Sequence, residues 1–76
     1  MPTYYFHMND GENSAKDEEG AAFEDFETAS SEARASARDW AVQLIQSGQL
    51  IDEQVLVMLD DQGTTRLSLP LRSVVS

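Results

Sequence analysis

Residues 25–48, DFETASSEARASARDWAVQLIQSG, decide the fold. Within them Phe26, Ala29, Ala33, Ala37, Trp40 and Leu44 recur at steps of three or four residues. At 100° per residue they fall inside a sector of roughly 80°, with Ala41 and Ile45 beside it. Glu32, Asp39, Gln43 and Gln46 occupy the far side. The pattern predicts one amphipathic helix of about 22 residues, roughly 33 Å long. Asp25 is placed to cap its first turn, and Glu27 suits the positive end of the helix dipole. Gly48 is placed to end it in the left-handed conformation. The inner face is small in its first half (Ala29, Ala33, Ala37) and large in its second (Trp40, Leu44). The first half can therefore lie close to whatever it packs on.

Strand signals flank the helix on both sides. Residues 3–8 contain Tyr4-Tyr5-Phe6-His7-Met8, rich in aromatics and free of breakers. Asn9-Asp10-Gly11 then supplies residues that tolerate positive φ. Residues 16–23 return as a short second strand, interrupted by a bulge at Glu18-Glu19-Gly20. Beyond the helix, residues 54–59 hold five consecutive apolar side chains, Val55-Leu56-Val57-Met58-Leu59. Asp60-Asp61-Gln62-Gly63 turns the chain. Residues 65–71 alternate, with Leu67, Leu69 and Leu71 on one face and Arg66, Ser68 and Pro70 on the other. The expected architecture is α+β in the order ββαββ. One long helix packs on one face of a small four-stranded, mainly antiparallel sheet, as a single domain over residues 1–76.

Composition narrows the function classes. A chain of 76 residues offers a core too small for a deep enzyme cleft. It has no cysteine, so neither a disulfide framework nor a thiolate metal site is available. No apolar run approaches the roughly 18–20 residues that span a bilayer. No basic region followed by an apolar stretch opens the chain, so a cytoplasmic protein is expected. The formal net charge is -9, from 14 acids against 5 Lys and Arg. That field repels nucleic acid and anionic membrane surfaces and attracts cationic proteins. The acids crowd into residues 10–27, where only Lys16 opposes them.

The chemistry-bearing residues are sparse. His7 is the one histidine, and no nucleophile is paired with it by spacing. Asp60 and Asp61 serve the turn, and the glycines form no phosphate cradle. His7, Asp10 and Asp17 could gather near the first turn as ligands for a divalent metal. However, residues 10–14 lack the calcium-loop spacing, so no metal or cofactor is expected. Arg34 and Arg38, one turn apart on the helix, read as solvated surface charges. The remaining candidate is the sheet's second face. If Tyr4, Phe6 and Met8 point to the helix, Tyr5 and His7 point away. The third strand is apolar on both faces, and the sequence leaves open which of them meets the helix. Tyr5, His7, Leu56 and Met58 are the expected binding residues of an association surface. A homodimer is its simplest occupant, because a symmetric pair needs one self-complementary patch.

Tyr4-Tyr5-Phe6-His7, Asp10-Gly11, Asp17-Glu18-Glu19-Gly20 and a helix with Glu32-Ala33 and Ala37-Arg38 together resemble a family of small bacterial domains of unknown function. The resemblance spans nearly the whole chain and implies a cytoplasmic bacterial protein with no activity to transfer. A more distant similarity is to HicB-type antitoxins. Their small β-rich domain also has an acidic-Gly turn and a helix that opens much like Asp25-Phe26-Glu27-Thr28-Ala29. That likeness implies an acidic inhibitor of a basic protein. A small-ligand or metal binder near His7 is the remaining alternative to a non-enzymatic interaction module.

Overall fold

The protein was analysed as a computed structural model that describes residues 1–11 and 13–74. Glu12, counted above among the crowded acids, lies outside the described residues. The elements run β1 (Thr3–Asn9), β2 (Ser14–Ala15), β3 (Ala21–Ala22), α1 (Phe26–Gln46), β4 (Val55–Asp60), β5 (Thr65–Pro70) and α2 (Leu71–Val74). The class is α+β with one long helix, as the periodicity requires. Among the described residues the sheet has five strands in place of four, in the order β2-β1-β4-β5 with β3 also on β1. All its pairings are antiparallel.

The extra strand arises from the expected second strand, which is split in two. β2 pairs Met8 and Asn9 at one end of β1, and β3 pairs Thr3 and Tyr4 at the other. Residues 16–20 bow out between them, where the glutamates and Gly20 interrupt the pairing. Gly20 takes φ +70°, which a side-chain-bearing residue adopts only at a cost.

Helix α1 has the boundaries its sequence dictates. Asp25 caps it by accepting from the Thr28 backbone N–H at 2.8 Å. Ser47 is the C-cap, and Gly48 follows at φ +76°. Ala29, Ala33, Ala37 and Ala41 are at most 1% exposed. They meet Leu56 and Met58 of β4, Leu69 of β5, Leu71 of α2 and Tyr4 of β1 in one core. Trp40 and Leu44 close its wider end, half-buried. Phe26, expected in the inner sector, sits at the rim instead, 38% exposed. Its ring meets Tyr4 edge-on at 6.2 Å, and the Arg66 guanidinium lies 5.4 Å from its centroid.

The C-terminal strand ends earlier than its alternation suggests. Pro70 closes β5, and Leu71, fully buried, opens a short helix instead of continuing the strand. The Leu71 N–H donates to the Gln54 carbonyl at 2.9 Å, tying this corner to the start of β4. Helix α2 packs against α1 and β5, on the side of the sheet that already carries the core. The register between β4 and β5 shifts at Met58 and Leu59. Arg66 falls at that irregularity and reaches the helix side, where alternation alone would have aimed it away.

Ala37 has no room to grow. The variant Ala37→Leu should lose about 1–3 kcal/mol through overpacking. Ala35→Leu, on the exposed side of the same turn, should stay within about 0.5 kcal/mol of the parent. Urea denaturation followed by circular dichroism measures both; equal losses would place the helix in another rotation.

Candidate functional site

Strand parity builds the candidate site. In β1 and β4, Phe6 opposes Met58 and Met8 opposes Leu56. These pairs face the helix. Leu56 and Met58 are each 1% exposed, so they belong to the core and not to the open face where they were expected. The sequence reading placed the wrong alternating set outward because β4 is apolar on both faces, and only its partner register fixes which set turns in. On the other face Tyr5 opposes Leu59, His7 opposes Val57 and Asn9 opposes Val55. Tyr5, His7, Val55, Val57 and Leu59 are all half-buried. The two helices both pack on the opposite side. Tyr5 and His7 are therefore where the alternation of β1 puts them.

One end of this face forms an open hollow of about 220 Å³. Tyr5, His7, Leu59, Asp17, Asp60 and Asp61 line it, with Gly63 at its lip. Among the described residues neither Lys nor Arg contributes to the lining. Tyr5 is held in place from below: a Cβ on Gly20 would lie 2.7 Å from its Cε2. Glycine is thus required there twice, for its backbone angle and for the room its missing side chain leaves to the ring.

The carboxylates are oriented by backbone donors. Asp17 Oδ1 accepts from the N–H groups of Gly20 at 3.0 Å and Glu19 at 3.2 Å. Its Oδ2 accepts from the Phe6 N–H at 3.3 Å. Phe6 lies where β1 has no strand neighbour between β2 and β3, so Asp17 replaces the missing partner. The Gly20 N–H above all holds the Asp17 carboxyl below the usual carboxylate range; burial opposes it, and the N–H groups of Phe6 and Glu19 and the nearby His7 add to the lowering. Asp60 Oδ1 accepts from the N–H groups of Gln62 and Thr64, both at 2.9 Å. The Thr64 N–H chiefly, then that of Gln62 and the Arg66 guanidinium 3.6 Å away, depresses the Asp60 carboxyl as well. Asp61, exposed beside it, has no hydrogen-bond or ion-pair partner among the described residues.

The suggested metal cluster does not assemble. His7 and Asp17 share the hollow, but Asp10 is used at the first turn, where Oδ1 accepts from the Asn13 N–H at 2.8 Å. Among the described residues no three His, Asp or Glu side chains stand together to hold a metal ion. Asp10 instead borders a second hollow, of about 270 Å³, beside Met8 and Trp40 on the helix side. The role of Asp17 as a backbone acceptor went unread in the sequence. Its signal was the Asp-x-x-Gly spacing of residues 17–20, which suits an Asx turn closed by a left-handed glycine.

Residues 3–72 match the domain of unknown function DUF6894. The chain belongs to the DUF6894 family. The match spans the sheet, the long helix and the start of α2, so the site described above lies wholly within the DUF6894 domain. No curated protein and no solved structure matches the chain. No helix among the described residues is long and apolar enough to cross a membrane.

Three carboxyls, Asp17, Asp25 and Asp60, are held below the ordinary value of about 3.9. A depressed folded-state value means that the stabilisation is complete above the unfolded value and disappears as pH falls through the folded one. Stability should hold level above about pH 5 and decline below about pH 4. Asp17→Ala should cost about 1–2 kcal/mol at neutral pH by stranding three N–H groups, and should flatten the acid decline. Thermal melts from pH 7 to pH 2 test this; an unchanged acid limb in the variant would remove Asp17 from the account.

Proposed function

We propose that this DUF6894 domain is a non-enzymatic interaction module that docks protein through the sheet face bearing Tyr5, His7, Val55, Val57 and Leu59, with a second copy of the chain as the simplest partner. The observation that carries the reading is the two-sided apolar character of β4. Leu56 and Met58 are buried under the helix, while Val55, Val57 and Leu59 have no covering layer among the described residues. A central strand with both faces apolar fits a sheet covered on both sides. Tyr5 and His7 keep their place in the expected surface; Leu56 and Met58 yield theirs to Val57 and Leu59. The domain acts in the cytoplasm, without nucleic acid, membrane, metal or cofactor.

An acidic inhibitor of a basic protein, like the HicB-type antitoxins, is the second reading. Net charge -9 favours it, as does a hollow lined by three carboxylates, of which Asp60 alone has an Arg partner among the described residues. A small cationic ligand beside His7 would draw on the same groups.

Sedimentation equilibrium from low to high micromolar concentration tests the leading reading. The parent should show reversible self-association, and Val57→Lys should remain monomeric with an unchanged circular dichroism spectrum. A parent that stays monomeric throughout would rule out the second copy as occupant.

A further inference from the structure

The open face is apolar at its centre and anionic at one end. Two copies joined face to face would bring Asp17, Asp60 and Asp61 of both chains into one interface, where Arg66 pairs with Asp60 but neither Asp17 nor Asp61 has a Lys or Arg partner among the described residues. Like charges in such a junction are strongly unfavourable. A better counterpart exists on the same molecule. Arg34 and Arg38 are exposed on α1 and make no ion pair among the described residues. Val42 and Ile45 continue the same stripe, 49% and 58% exposed. At 100° per residue these four positions share a sector of roughly 80° and span about 16 Å of helix. Three strands at about 4.8 Å spacing present a bed of comparable width. The stripe is cationic at one end and apolar at the other, the complement of the sheet face in both respects.

The stripe cannot reach the hollow of its own chain. Helix α1 covers the core side of the sheet with its alanines, and the stripe is centred about 120° round the helix from them, on the outer flank, so it stands on the other side of the sheet from the open face. We propose that DUF6894 chains associate head to tail, the outer stripe of one α1 lying across the open sheet face of the next copy. Arg38 then meets Asp61 and Asp17 beside the Tyr5 ring, while Val42 and Ile45 cover Val57 and Leu59. This inference rests on the docking reading above and names the surface that docks. The contact is heterologous, so each chain keeps one unused surface of each kind unless a ring closes.

Complementation between two variants tests it. Arg38→Glu combined with Val42→Glu disables the stripe, and Asp61→Lys combined with Val57→Lys disables the face. Sedimentation velocity should find each double variant monomeric. Mixed one to one, they should form a heterodimer that grows no further, because one intact stripe meets one intact face. The parent should extend beyond a dimer as concentration rises. Its association should weaken about threefold or more on raising salt from about 0.05 to 0.5 M. Circular dichroism melts of both variants confirm folding, and Asp61→Lys alone, at an exposed turn, serves if the Val57 change unfolds the chain. If the stripe variant still dimerises while the face variant does not, the contact is face to face: the docking reading stands and the head-to-tail arrangement is wrong. If the parent itself stays monomeric, both fail.

Discussion

The structure depends on how closely α1 can lie on β4. Four alanines at the contact, none more than 1% exposed, let the helix axis approach the sheet without large side chains between them. Tyr4, Leu56, Met58 and Leu69 then supply the buried bulk from the sheet side, with Phe6 and Leu67 packed at its margin. This arrangement is economical for a short chain, because one row of small residues seats a helix of 21 residues. It also makes the core unforgiving, since close-packed interiors respond to a single added methylene. Once Leu56 and Met58 are committed inward, strand geometry turns Val55, Val57 and Leu59 outward, and the character of the second face follows.

The abundance of acid has a structural share that net charge conceals. Asp10, Asp17, Asp25 and Asp60 each accept one or more backbone N–H groups, at the first turn, the β1 gap, the helix start and the last hairpin. An aspartate is short enough to fold back on its own backbone, which is why it serves at caps and turns. Asp61 and most of the glutamates do no such work, and they give the surface its field. Charge repulsion alone therefore understates what neutralising these carboxyls would cost the fold.

Long-period features were legible in the sequence, and parity was not. The helix, its Asp25 cap, the Gly48 stop and both turns follow from spacing and residue type, because 3.6-residue periodicity and glycine geometry are local properties. The interruption at Glu18-Glu19-Gly20 was readable for the same reason, but the division into two strands was not. That depends on Asp17 finding the Phe6 N–H eleven residues back in the chain. The facing of β4 was unreadable because five apolar residues in a row carry no alternation, and a one-residue error exchanges the two sets. Tyr5 and His7 were placed correctly because β1 does alternate against a recognisable inner set. Helix α2 escaped notice because Leu71 fits the leucine alternation and the turn begins only after Pro70.

The outermost strands are poor templates for recruiting foreign chains. On one flank, β1 is shielded by two-residue pieces and by a carboxylate plugged into the remaining N–H. On the other, β5 is kinked at the Arg66 irregularity and stopped by a proline that has no hydrogen to donate. Unprotected borders of this kind invite uncontrolled β-pairing, and proline, charge and bulges are the usual deterrents. Borders guarded in this way work against cross-β pairing in a domain whose sheet also carries a greasy face.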